Sequence, residues 1–203
     1  PSEIHVLQLA SVYADKPFDG SDKMDEAELG QALDWVQQHF TFIDDSDTNV
    51  DSVLERASVS VMRYGSRIIQ IDPYNFLTLS DSAEENSSSI NKMLVKLKNF
   101  SQQHSVCVWL VAHPTKMYRG QDGKTPEVGG YDVSGSASFF NVPDAGITIA
   151  RDEPGTSKIT NWKSRFPWIG SLGSTIMSFN SRVGSFGSAI PIGFGESDVT
   201  QEV

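Results

Sequence analysis

Apolar and polar positions alternate with helical spacing over the first third of the chain. Leu29, Ala32, Leu33 and Val36 fall on one helical face, and Asp25 with Glu28 forms a D-x-x-E variant of the capping box ahead of them. Residues 3–14 are predicted as an earlier helix, ending before Pro17. Val53, Leu54, Ala57 and Val61 stripe a third helix that should stop near Gly65. Between the second and third helices, 41–44 is predicted as a short strand and 45–50 as a polar turn.

From Arg67 the pattern changes. Two apolar runs, 67–72 and 106–112, read as buried parallel strands, each with one polar residue at its carboxyl end: Asp72 and His113. A long helix joins them, capped around 82–85, with Ile90, Met93, Leu94 and Leu97 inward and Lys92, Lys96 and Lys98 turned elsewhere. Residues 114–130 carry Gly and Pro without periodicity and predict a surface loop of functional length. A short helix is expected over 134–141, then strands at 145–151, 157–166 and 174–180, with a hairpin at Glu153-Pro-Gly155. The expected fold is therefore α/β: a mostly parallel sheet flanked by helices, with antiparallel strands at the C-terminal end. Residues 1–182 form the expected domain, and the Gly/Ser-rich, acidic stretch 183–203 an expected loosely held tail.

Composition adds limits. At 203 residues and 38% hydrophobic, the chain can bury one ordinary core. No run approaches the roughly 18–20 apolar residues of a membrane span, and the start shows no secretory pattern, so a cytoplasmic protein is expected. The single cysteine, Cys107, excludes an internal disulfide framework and, inside an apolar run, is expected to be buried. The net charge of −10 is confined to residues 1–58, which hold 13 acidic and 3 basic side chains. The neutral remainder groups Lys116, Arg119 and Lys124 in one loop and Lys158, Lys163 and Arg165 along one strand region, so an anion-binding surface is compatible with overall acidity.

Each candidate has two readings. A carboxylate ending a buried strand, as at Asp72, can hold a Mg²⁺ water opposite a triphosphate, or can simply open a turn before Pro73. His113 on the same rim can hydrogen-bond a γ-phosphate or bond a nearby carbonyl. Lys163 and Arg165 alternate on a strand, so both point to one face, either solvated or awaiting an anion from another subunit. Gly120-Gln-Asp-Gly123-Lys124-Thr125 is not a phosphate loop: Tyr118 stands where the first glycine belongs, and no helix is expected after Thr125. The four histidines and one cysteine lack zinc-ligand spacing.

Five segments in order carry a resemblance: Ile69-Gln-Ile-Asp72-Pro-Tyr-Asn75, Val108-Trp-Leu-Val-Ala-His113-Pro-Thr-Lys116, Tyr131-Asp-Val-Ser-Gly-Ser136-Ala, Asp144-Ala-Gly-Ile-Thr-Ile149 and Trp162-Lys-Ser-Arg165-Phe. From about residue 25 to 180 the chain resembles the carboxyl-terminal RecA-like ATPase domain of hexameric replicative DNA helicases of the DnaB type, within them the phage primase-helicase and mitochondrial Twinkle branch. The resemblance implies ATP or another NTP and Mg²⁺ as cofactors, single-stranded DNA as partner, and a homo-oligomeric ring, a hexamer for the full-length protein, in a bacterial or phage-infected cell. It implies Asp72 as the Walker B acid on Mg²⁺ through water, His113 as γ-phosphate sensor, and Lys163 with Arg165 as the pair reaching a neighbouring subunit's nucleotide, Arg165 being the finger. Lys116, Arg119 and Lys124 would line the DNA channel, with Ser134, Gly135 and Ser136 in the other DNA-facing motif. The family's phosphate loop, its strand and helix, and its catalytic glutamate are expected upstream of Pro1. Ser138 stands where some relatives carry a basic DNA contact. The expectation is a helicase motor piece inactive alone, with self-association covering an open sheet edge. The alternative is a degenerate RecA-fold module that binds single strands or joins a ring without hydrolysis.

Overall fold

Asp25 and Glu28 cap one another. The Glu28 amide donates to Asp25 Oδ1 at 2.8 Å and the Asp25 amide to Glu28 Oε2 at 3.0 Å, a reciprocal box that starts the helix Glu26–His39 (α2). In the computed structural model, which describes residues 2–43, 46–78, 87–115, 128–133, 137–151 and 154–190, the contacts divide the chain into two units. The first comprises 1–39, 148–160 and 173–203; the second comprises 40–147 and 161–172.

In the first unit, Ser2–Ala14 (α1) packs on α2 around Ala10, Met24, Ala32 and Val36. Trp35 is sandwiched between Tyr13 and His39, each ring 4.7 Å away. Arg182 clamps Asp22 with two hydrogen bonds of 2.7 and 2.6 Å, tying the end of the Gly173–Asn180 strand region to the loop before α2.

The second unit holds Val50–Tyr64 (α3), Ile68–Ile71 (β1), Ser87–His104 (α4), Cys107–Leu110 (β2) and the short Ser138–Asn141 (α5). Asn49 caps α3 by accepting from the Asp51 amide at 2.9 Å. Gly65, at φ 70°, ends it in the left-handed region while its amide returns to the Val61 carbonyl. The inner faces of α3 and α4 meet β1 in two clusters, one around Ile71, Ile90, Met93, Leu94 and Leu97, the other around Ala57, Ile69, Phe100 and Val106. β1 and β2 run parallel, with Ile68 opposite Cys107 and Ile71 opposite Leu110.

The last strands, Ala145–Arg151 (β3), Thr156–Ser164 (β4), Gly173–Asn180 (β5) and Ser185–Ile190 (β6), form a separate four-stranded sheet in the order β3-β4-β5-β6. Short connections between adjacent strands make it a meander, and Pro154-Gly155 turns the first corner with Gly155 at φ 79°.

Four expectations change. Residues 41–43 form no strand, because no neighbouring ladder pairs with them; Ile43 instead packs against the Ala57 cluster. The stretch from Val183, read as a loose tail, contains β6, which pairs antiparallel with β5 from Asn180↔Ser185 to Ile176↔Ile190. Glycine and serine content does not prevent a strand when an edge is available to extend. Cys107 is exposed rather than buried, since it shares a face with Ile68 and Trp109, 62% and 52% exposed. The α/β fold with parallel strands and antiparallel strands at the C-terminal end is as expected, but the two kinds of ladder form separate sheets. The proposed cap at 82–85 and the residues 191–203 lie outside the described residues.

Candidate nucleotide and nucleic-acid site

The parallel register decides how Asp72 and His113 stand to one another. Ile71 and Leu110 are partners at the ends of β1 and β2, so the chain leaves both strands at the same carboxyl rim. The ladder continues past them: the Val111 amide donates to the Ile71 carbonyl and the Tyr74 amide to the Val111 carbonyl, both at 2.9 Å. Asp72 and His113 follow on this rim, both exposed, with no hydrogen-bond or ion-pair partner among the described residues. Tyr74, buried beneath, rests its ring 4.8 Å from Phe139 of α5 and fixes the turn after Asp72 to that helix.

His113 leads into a loop whose base is closed. Pro114 bridges Val133, and Thr115 donates to the Asp132 carbonyl through its amide at 2.8 Å and its hydroxyl at 3.0 Å. The Asp132 carboxylate accepts from the Gly129 amide at 2.8 Å, holding the returning turn. Lys116, Arg119 and Lys124, and likewise Ser134, Gly135 and Ser136, lie outside the described residues.

Lys163, near the end of β4, and Arg165, just past its last residue Ser164, are engaged by their own chain. Lys163 donates to the Phe140 and Asn141 carbonyls, the latter at 3.1 Å, and its ammonium stands 5.1 Å from the Phe140 ring centre. Burial, and next the charge of Arg165, push the Lys163 ammonium below its ordinary pKa, while Asp144 acts in the other direction. Arg165 gives Nη2 to the Asn141 and Val142 carbonyls at 3.2 and 3.3 Å, and its Nε stands 3.3 Å from Asp144 Oδ1. These carbonyls end α5, where helix carbonyls lack intrahelical donors and carry partial negative charge. The two cations do not alternate along one strand as expected, because β4 stops at Ser164; they meet instead at the carbonyls ending α5, where both are anchored.

No group of three His, Cys, Asp or Glu side chains among the described residues could cage a metal ion. Asp72, a single exposed carboxylate on the rim, fits the looser role of holding Mg²⁺ through water beside phosphate oxygens.

No family model matches the sequence. The Twinkle homolog protein, chloroplastic/mitochondrial, of Arabidopsis thaliana is 34% identical over 198 residues, 90% of this chain and 28% of that protein. The solved structure of a DnaB-like replicative helicase, described with its interactions with primase, matches the fold with a TM-score of 0.75 at 16% identity. That match covers 92% of this chain and 49% of the other. Together the two matches support a DnaB/Twinkle-type helicase domain. It spans 28% of the length of its Twinkle relative.

Two residues of this domain, Lys98 and Asp144, carry no signal in the local sequence. Lys98, expected to turn away from the inner face of α4, forms an ion pair with Asp144 Oδ2, and both are half-buried. Asp144 thus sits between Lys98 and Arg165. With 46 residues separating it from Lys98, no local spacing rule could have paired them. A third feature, the stack of Tyr131 on Phe140 at 4.2 Å and Phe140 on Trp162 at 5.5 Å, was equally silent in the sequence. No helix among the described residues is long and apolar enough to cross a membrane.

Proposed function

We propose that this chain supplies the Mg²⁺-holding, phosphate-sensing and finger side of an ATP-dependent motor that moves along single-stranded DNA within a ring of identical subunits. The reading rests on one observation: Asp72 and His113 leave adjacent parallel strands at the same rim, in the register Ile71↔Leu110. On this reading Asp72 holds Mg²⁺ through water, and the bound ion neutralises charge on the β- and γ-phosphates. The His113 imidazole lies within the loop start and hydrogen-bonds the γ-phosphate, so cleavage changes what holds the base of the loop at Thr115 and Asp132. Lys116, Arg119 and Lys124 of that loop, with Ser134, Gly135 and Ser136, contact DNA phosphates. Arg165, supported by Lys163, meets the phosphates bound on the neighbouring subunit.

Because these 203 residues contain no G-x-x-x-x-G-K-[ST] loop, they are expected not to hydrolyse nucleotide alone. The natural full-length protein is the test. Asp72→Ala and Arg165→Ala should each lower DNA-stimulated NTP hydrolysis by about a thousandfold or more, the scale of lost metal and finger contacts. Hydrolysis within about twofold of the parent in both variants would end this reading.

A second reading, a module that binds single strands or joins a ring without hydrolysis, draws on the anchoring of Lys163 and Arg165 by their own chain. It is supported if DNA binding is independent of nucleotide, falls steeply with salt, and no variant at Asp72 alters it.

A further inference from the structure

The Arg165 guanidinium is divided. Its Nε stands in ion-pair contact with Asp144 Oδ1 at 3.3 Å without a hydrogen bond, its Nη2 donates to the Asn141 and Val142 carbonyls, and Nη1 has no partner among the described residues. Asp144 and Arg165 are also joined through the backbone, the Arg165 amide donating to the Asp144 carbonyl at 2.7 Å. The side chain of Arg165 remains 42% exposed. A guanidinium hydrogen-bonded through Nη2, in ionic contact at Nε and open at Nη1 has few directions left, whereas a free arginine spreads over many rotamers. Lys98, on the other carboxylate oxygen, balances the charge of Asp144.

We propose that Asp144 is a positioning residue, which orients Arg165 so that its Nη1 edge alone is presented to an anionic group outside the chain. The inference rests on the proposed finger role of Arg165 and extends it to a residue that touches no nucleotide. Orientation matters because a finger acts on a charge that develops at one place: a displacement of about 1 Å can cost a hundredfold in rate. The same contacts make α5 part of the support. The helix follows the segment 134–136 and its last carbonyls hold both cations, so a shift of α5 moves Arg165 with it.

A double-mutant cycle in the natural full-length protein tests this, with DNA-stimulated NTP hydrolysis read as separate kcat and KM, and thermal melting of each variant. Asp144→Asn should lower kcat about ten- to hundredfold with KM within about twofold, and should cost nothing further in an Arg165→Ala background. Asp144→Glu, which keeps the charge, should recover a large part of the lost kcat, and it carries the test in both backgrounds if Asp144→Asn does not fold. Lys98→Met, which removes the other partner of Asp144, should leave kcat within about threefold of the parent. The proposal is overturned if the Asp144 and Arg165 losses multiply, if Lys98→Met reproduces the Asp144→Asn loss, or if Asp144→Asn is silent while Arg165→Ala is severely impaired. An Arg165→Ala variant with unchanged kcat would instead remove the finger reading itself, whatever Asp144 does.

Discussion

At the scale of single residues, the end of a buried strand is where sequence speaks most plainly. Asp72 and His113 stand out because each closes an apolar run, and the parallel register then puts them on one rim. The same runs misled at Cys107. An apolar run says that a strand exists but not whether both its faces are covered, and Cys107 lies on the face that the described helices leave open. Its thiol should therefore react with Ellman's reagent in native buffer, one per chain, without denaturant. A thiol that titrates only after unfolding would place another layer over that face. Asp144 marks the opposite case, since a carboxylate at the start of a strand has no local pattern that names its partners.

At the scale of elements, caps and turns were legible and close approaches were not. The Asp25–Glu28 box and the Gly65 stop follow from spacing alone. Gly146 does not announce itself: a Cβ there would lie 2.1 Å from Trp162 Cη2, and one at Gly130 2.6 Å from the same atom. Gly146→Ala should push Trp162 off Phe140 and cost about 1–3 kcal/mol, measured by urea unfolding followed through tryptophan fluorescence. An unchanged midpoint would mean that the indole moves at no cost. In the first unit, hydrogen bonds from Arg182 hold the Asp22 carboxyl below its ordinary pKa, and Lys16 does the same, first among several contacts, for Glu28. A carboxylate depressed in the folded state stabilises fully above its ordinary pKa and loses that contribution as pH falls through the folded value. Melting temperature should thus decline below about pH 4, and Arg182→Ala should flatten the Asp22 part of that decline. An identical acid limb in the variant would show that the clamp contributes nothing.

At the scale of the molecule, the parallel pair β1–β2 poses a physical problem. Parallel sheets are ordinarily covered on both faces, yet Ile68 and Trp109 stand open on one side of this one, 62% and 52% exposed. Trp168, in the β4–β5 connection of the same unit, is 81% exposed. Apolar surface of this kind favours association. The 203-residue chain by itself should sediment as more than a monomer at high concentration, and Ile68→Lys with Trp109→Lys should return it to monomer. A clean monomer for the parent chain at high concentration would contradict this.

The sequence by itself determined which segments are helices and strands over most of the chain, because amphipathic spacing, caps and apolar runs are local properties. It also placed the strand-end acid and imidazole, and its ordered segments carried the family. Only the tertiary structure decided which strand faces are covered, that the glycine- and serine-rich end extends a sheet as β6, and that Lys98, Asp144 and Arg165 form one cluster with the end of α5. Those outcomes depend on groups brought together from distant parts of the chain, and no short-range pattern encodes them.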